Sequence, residues 1–176
     1  NPHHFAWDSA GRLFVTDIGD RAIEEINLIE SGQDYGWNVR EGHLVTDPYA
    51  HQEIVAIPWD VDETNYRKPF AAYSHLEGSA VIGGFAYRGS IPALQGKYIF
   101  GDIVSGRIFC IDLSNQTAIP QPILEIGIKV PNQEDGKLRH LLGNGRLDLR
   151  FGEDADGELY IMTKIDGKIR RVVSAD

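Results

Sequence analysis

Three observations predict an all-β fold. A turn-and-strand signature, Phe5-Ala6-Trp7-Asp8-Ser9-Ala10-Gly11-Arg12-Leu13-Phe14-Val15, returns in register as Phe151-Gly152-Glu153-Asp154-Ala155-Asp156-Gly157-Glu158-Leu159-Tyr160-Ile161. A degenerate copy, Leu94-Gln95-Gly96-Lys97-Tyr98-Ile99-Phe100, keeps the Gly and the aromatic and β-branched residues after it. Finally, 19 Gly and 8 Pro punctuate the 176 residues too often for long helices. Self-similarity of this kind argues for a repeat architecture.

Each element has its own local reason. The Asp-x-x-Gly stretch supplies a tight turn, since Asp bonds the backbone ahead of it and Gly takes positive φ without strain. The apolar run that follows is a short, half-buried to buried strand. A second run comes after each copy: Ile26-Asn27-Leu28-Ile29, then Arg107-Ile108-Phe109-Cys110-Ile111, then Lys168-Ile169-Arg170-Arg171-Val172-Val173. The stretch from Ala22 to Ile29 fits a helical turn or two, but a strand fits at least as well. Asp166-Gly167 between the last two runs is a two-residue hairpin signal. Glu41 to Lys68 is polar and punctuated by proline, and reads as a long loop on one face.

Such strand–connection–strand units build either a propeller of four-stranded blades or a sandwich or barrel. At roughly 40–50 residues per blade, the length allows about three blades with insertions. The expectation is a single partial β-propeller domain over 1–176, with units near 1–70, 71–130 and 131–176, cut from something larger.

Composition sets limits. Hydrophobic residues make up 42% and charged residues 24%, ordinary values for a globular domain. The net charge of −9 argues against nucleic-acid or anionic-membrane binding. No apolar stretch reaches membrane-spanning length or resembles a secretion signal. Cys110 has no partner cysteine and no activating His nearby in sequence, so it reads as a small core residue. No Ser-His-Asp ordering, phosphate loop or Cys-rich metal spacing is visible.

Several runs carry a resemblance: Asn1-Pro2, Glu24-Glu25-Ile26-Asn27-Leu28, Gly32-Gln33-Asp34-Tyr35-Gly36-Trp37, Glu41-Gly42, Tyr73-Ser74-His75, and Gly78-Ser79-Ala80-Val81-Ile82-Gly83-Gly84-Phe85-Ala86-Tyr87-Arg88-Gly89. With Tyr98-Ile99-Phe100-Gly101-Asp102 and Ser105-Gly106-Arg107 they resemble the glucose/sorbosone dehydrogenase family, soluble sugar dehydrogenases that use pyrroloquinoline quinone (PQQ). The resemblance implies the C-terminal half of a six-bladed propeller with the cofactor on its axis. It also implies a periplasmic or extracellular setting. Of the family's Arg-Asn-Pro motif only Asn1-Pro2 is present, and the catalytic His that takes the sugar's proton lies upstream, outside this chain.

Asp17, Asp20, Glu24 and Glu25 gather carboxylates around Gly19. Calcium takes six to eight oxygen ligands and accepts backbone carbonyls beside carboxylates. The alternative is a solvated acidic loop. The resemblance implicates Gly19, Asp20, Glu24, Glu25 and the backbone of Tyr35 as calcium ligands. Asp154-Ala155-Asp156-Gly157 only imitates the start of a calcium loop, because Thr163 stands where the closing Glu belongs; it reads as turn chemistry.

For the quinone, the resemblance points to Asn1, Tyr73, His75, Arg107 and Arg146. Family members carry a Lys where this chain reads Asp102-Ile103-Val104-Ser105-Gly106-Arg107, and an Arg pair near Arg146-Leu147-Asp148-Leu149-Arg150. Arg107, Arg146 or Arg150 would compensate by pairing with the cofactor's carboxylates. The bland alternative is a structural ion pair or turn of Asp102 with Arg107. Tyr73 and His75 fall where relatives line the pocket mouth. His3 and His4 are adjacent and point to opposite faces of a strand, which does not suit a shared metal. Trp37 is expected to wedge between blades, and Trp59 to face ligand from the long loop.

Three functions follow: half of a PQQ-dependent sugar dehydrogenase; a non-catalytic binding module like the Hedgehog-interacting relatives of the fold; or an inactive half-propeller. A ring opened after three blades exposes apolar blade faces, so a homodimer or a partner chain completing the propeller is expected.

Overall fold

The computed structural model describes residues 1–46, 54–56, 64–114, 118–127, 138 and 145–175. Strands β1 (Pro2–Trp7), β2 (Leu13–Asp17) and β3 (Ile23–Ile29) form an antiparallel meander. A small sheet of β4 (Arg40–Glu41), β5 (Leu44–Thr46) and β6 (Ile54–Ala56) follows. Then β7 (Ala71–Ser74) pairs with β3 and completes a four-stranded sheet in the order β1-β2-β3-β7. The second sheet runs β8-β9-β10-β11, from β8 (Val81–Ala86), β9 (Lys97–Asp102), β10 (Ile108–Asp112) and β11 (Leu124–Glu125). A third holds β12 (Leu149–Glu153), β13 (Leu159–Thr163) and β14 (Lys168–Arg171). The all-β expectation stands: among the described residues the helical element is a short 3-10 turn at Pro92–Leu94.

The repeat shows itself in backbone geometry. Gly11, Gly96 and Gly157 sit at φ 77, 71 and 78, so all three copies place their glycine in the same left-handed turn. In the first, Asp8 Oδ1 accepts from the N–H groups of Ala10 and Arg12, both at 2.9 Å. In the last, Asp154 Oδ1 accepts from Asp156 and Glu158, at 3.1 and 2.9 Å, which bears out the turn reading of that acidic cluster. The degenerate copy lacks this Asp, and the 3-10 turn stands in its place.

Period-two alternation then builds the stack. On β9, Tyr98 and Phe100 join a core with Phe14, Ile26, Tyr73 and Phe109 on the first-sheet side. Ile99, between them, joins the opposite core with Leu149, Phe151 and Ile161 of the third sheet. The Phe14 and Tyr98 rings lie 5.0 Å apart. Each such buried apolar side chain contributes about 1.5–3 kcal/mol. Strand β1 packs on β8, and β8 on β12, so the first strand of each sheet lies beside the first strand of the next, as inner strands of adjacent blades do.

Three expectations change. The stretch from Glu41 to Lys68 is not a plain loop: among its described residues β5 pairs with β4 and β6 in a small sheet, Leu44, Val45 and Thr46 standing opposite Ala56, Val55 and Ile54. The first unit extends to Ser74 rather than 70, because β7 closes the first sheet. Among the described residues the third sheet shows three strands. Trp37 does not wedge between blades; it is exposed. Trp59 lies outside the described residues. Cys110 is buried in the second core, where burial pushes its thiol up.

Candidate functional site

Four connecting segments meet at one end of the blades. His75 N–H donates to Ala22 O (2.7 Å), Ile103 N–H to Ala80 O (2.8 Å), and Leu149 N–H to Ile103 O (3.3 Å). These bonds tie the β2–β3 loop, the β7–β8 loop, the β9–β10 turn and the segment entering β12 into one rim. Most of the residues singled out in the sequence lie on it.

A small pocket at this end is lined by Asn1, Asp17, Gly19, Glu25, Tyr35 and Glu41, with Trp37 and Arg40 beside them. Strand pairing creates it: Asp17 stands opposite Glu25, and the backbone of Asn1 exchanges hydrogen bonds with that of Ile18. Glu25 is nearly buried; it accepts from Asn27 Nδ2 at 3.0 Å and from the N–H of Gly42. Burial pushes its carboxyl up, and the neighbouring Asp17 and Glu41 charges add to this. Glu41 turns inward differently, with Oε1 accepting from the N–H groups of Arg21, Ala22 and Ile23 at 2.9, 2.6 and 2.9 Å. Gly19 is required there, since a Cβ would overlap Ile23 O and come within 2.7 Å of Glu41 Oε1. Tyr35 is fixed through its hydroxyl, which donates to Leu28 O and accepts from Glu30 N–H, both at 2.8 Å.

Of the expected calcium ligands, the fold therefore brings together Gly19, Glu25 and Tyr35. Asp20 stays apart, exposed and paired with Arg21 at 3.0 Å. Glu24 also stays apart, because adjacent strand residues face opposite ways. Fully buried, it lies 2.7 Å from His75 Nε2 through Oε1 and accepts from Val81 N–H at 2.7 Å through Oε2. Burial raises its carboxyl, partly offset by these two partners. Among the described residues no three His, Cys, Asp or Glu side chains stand at metal-ligand spacing, so a cation in the pocket needs backbone oxygens. Glu41 was missed in the sequence. Its signal was the Glu-Gly pair just after Tyr35-Gly36-Trp37.

The residues expected to hold a quinone are divided. Tyr73 is not at an open mouth. It is buried between the first two sheets, its hydroxyl donates to Asp102 Oδ2 at 3.2 Å, and burial together with the Asp102 charge drives it strongly upward. Arg107 is held by Glu77 O and Glu125 Oε2 (2.8 Å) and stacks 4.8 Å over Phe109. It forms a turn with Asp102 through the backbone, but its ion pair is with Glu125. Arg146 pairs with Asp148, and Arg150 donates to Leu149 O. His75 is half-buried and held by Glu24. His4 packs edge-on against Phe85 at 5.2 Å while His3 is exposed, so the two form no metal pair.

Asp102 is the polar centre of this rim. Burial alone would raise its carboxyl, but N–H donors from Ala80, Ser105 and Ser79 outweigh that and lower it.

Comparisons with known proteins agree with this architecture. Residues 1–171 match the glucose/sorbosone dehydrogenase family. The chain is 23% identical to the HIPL1 protein of Arabidopsis thaliana over 93% of its length and 25% of that protein's. It is 29% identical to the HIPL2 protein of the same plant over 62% of its length and 16% of that protein's. Its fold is similar to the apo soluble aldose sugar dehydrogenase of Escherichia coli, with a TM-score of 0.63 and 20% identity over 97% of this chain and 43% of that one. It is also similar to the PQQ-bound aldose sugar dehydrogenase of Streptomyces coelicolor, with a TM-score of 0.62 and 21% identity over 97% and 42%. The chain thus spans a quarter or less of the length of these curated relatives and under half of the solved structures. Among the described residues no helix is long and apolar enough to cross a membrane.

Proposed function

Because the chain belongs to the glucose/sorbosone dehydrogenase family, we propose that it is part of a propeller that oxidises a sugar hydroxyl with hydride transfer to PQQ, beside a calcium ion. The observation that carries this reading is the pocket where Gly19, Glu25 and Tyr35 meet. Its donors suit a hard cation: a buried carboxylate whose burial opposes its charge, a second carboxylate nearby, and backbone oxygens. Asp20 and Glu24 drop out of the proposed ligand set, for the reasons of geometry above.

PQQ bound at this end would supply the hydride acceptor. This chain's part is to hold the cation, to present Asn1 and His75 at the rim, and to offer Arg107 and Arg146 to the cofactor's carboxylates. Those two guanidiniums are engaged by Glu125 and Asp148, so a quinone would have to displace carboxylates already in place. The proton-accepting base would come from elsewhere in the full-length protein. That engagement favours a second reading, a propeller that binds a partner without oxidising sugar.

A homodimer or a partner chain covers the open blade faces in either case, in a periplasmic or extracellular setting. The test is native mass spectrometry of the full-length protein with calcium and PQQ, followed by an aldose-dependent dye-reduction assay. Calcium-dependent retention of quinone with dye reduction supports the dehydrogenase. Calcium binding with no quinone retained assigns the binding module.

A further inference from the structure

A second cavity, of about 240 Å³, opens on the flank of the first sheet between β7 and the small β4–β6 sheet. Its lining combines Arg40, His43 and Lys68 with the apolar Pro69, Ala72, Ile119 and Pro120. Arg40 is only 6% exposed, and its guanidinium lies 4.9 Å over the Tyr66 ring.

Among the described residues Arg40 has no carboxylate within ion-pair distance. The other paired arginines show the contrast. Arg12, Arg21, Arg67, Arg88, Arg107, Arg146, Arg170 and Arg171 are all more exposed, and each has an Asp or Glu within ion-pair distance. Glu25 and Glu41 line the neighbouring acidic pocket, which shares Arg40 and Tyr35 with this cavity, yet neither forms an ion pair with Arg40. A buried cation without an anion is costly unless one is supplied. The open space lies where such an anion would sit.

We propose that this cavity binds a small organic carboxylate with an apolar or ring-shaped body. The guanidinium fork accepts a planar carboxylate bidentately. The ligand's body lies along the wall of Pro69, Ala72 and Ile119, and the Tyr66 ring shields the ion pair from water. A multiply charged phosphate would want donors all round, and the apolar wall supplies none on that side. The site uses none of the residues offered to the quinone, although it shares Arg40 and Tyr35 with the acidic pocket.

Isothermal titration of the purified protein with sodium benzoate tests this, with benzyl alcohol and inorganic phosphate as comparison ligands. Benzoate is expected to bind saturably at one site, at least tenfold more tightly than either comparison ligand. Arg40→Gln is expected to weaken benzoate at least tenfold. Because Arg40 is buried and that variant can fail to fold, Ile119→Glu gives a second arm. Ile119 is exposed, and a carboxylate there repels the ligand without touching the core. Absence of saturable binding, wild-type affinity in both variants, or phosphate binding as tight as benzoate overturns the proposal.

Discussion

Phe5 and Phe151 occupy equivalent positions of two repeats, yet Phe5 is 61% exposed and Phe151 only 9%. Phe151 packs against the second sheet with Ile82 and Ile99, whereas the Phe5 ring meets Trp7 edge-on at 5.7 Å. Leu13 and Leu159 repeat the contrast, partly exposed in the first copy and buried in the last. The face of the first sheet that carries Phe5 is thus an apolar face left uncovered among the described residues.

Association should follow from that face. Phe5→Glu and Trp7→Glu together are expected to reduce concentration-dependent self-association or partner capture, read by sedimentation velocity. A wild-type chain that stays monomeric at high concentration would sink the idea. Exposed apolar surface of this kind rarely stands alone in a monomer.

Glu25 and Glu24, adjacent in sequence, should respond differently to calcium. Glu25→Gln is expected to lower calcium affinity by about tenfold or more, as loss of a charged ligand does. Glu24→Gln should leave calcium affinity within a few-fold and disturb the contact with His75 instead. Isothermal titration with calcium separates the two, and equal losses would contradict the split between strand faces.

Asp102 should govern acid stability. Its carboxyl is held below its usual value of 3.8, so its contribution is present above that pH and is lost as the pH falls through the lower folded value. Asp102→Asn is expected to cost about 2–4 kcal/mol at neutral pH, because it breaks a buried charge-assisted network. The variant should also flatten the acid limb of a urea-unfolding series. An unchanged acid limb would mean that the backbone donors around it matter little.

Gly106 and Gly11 both take positive φ, at 70 and 77, but only one is crowded. A Cβ on Gly106 would overlap Leu147 Cδ1, whereas nothing lies within 4 Å of one on Gly11. Gly11→Ala is expected to cost about 1–2 kcal/mol from backbone strain alone. Gly106→Ala should cost about 1–3 kcal/mol more, since it overpacks the contact between the second and third sheets. Thermal unfolding of the two variants measures the difference.

Much of the fold was legible because its signals are local. Asp8, Gly11, Asp154 and Gly157 announce their turns through bonds from the backbone to the Asp carboxylate that span four residues. Alternating strands such as Tyr98-Ile99-Phe100 announce two packed faces. The β4–β6 sheet was not legible, since Arg40–Glu41 and Leu44–Thr46 are too short to show a period and are surrounded by polar residues. The site was half legible: the run of carboxylates located the acidic pocket but not which members enter it.

What the residue order dictated was the class of structure, the repeat and its turns, because each depends on neighbours in the chain. What depended on the assembled sheets was the partner of each charge. Strand alternation sends Glu24 to His75 and Glu25 to the acidic pocket; Glu41 reaches back to the Arg21–Ile23 backbone; Arg40 is buried on Tyr66 with no acid paired to it among the described residues. These pairings join segments far apart in sequence, and only the packing of sheets brings them within bonding distance.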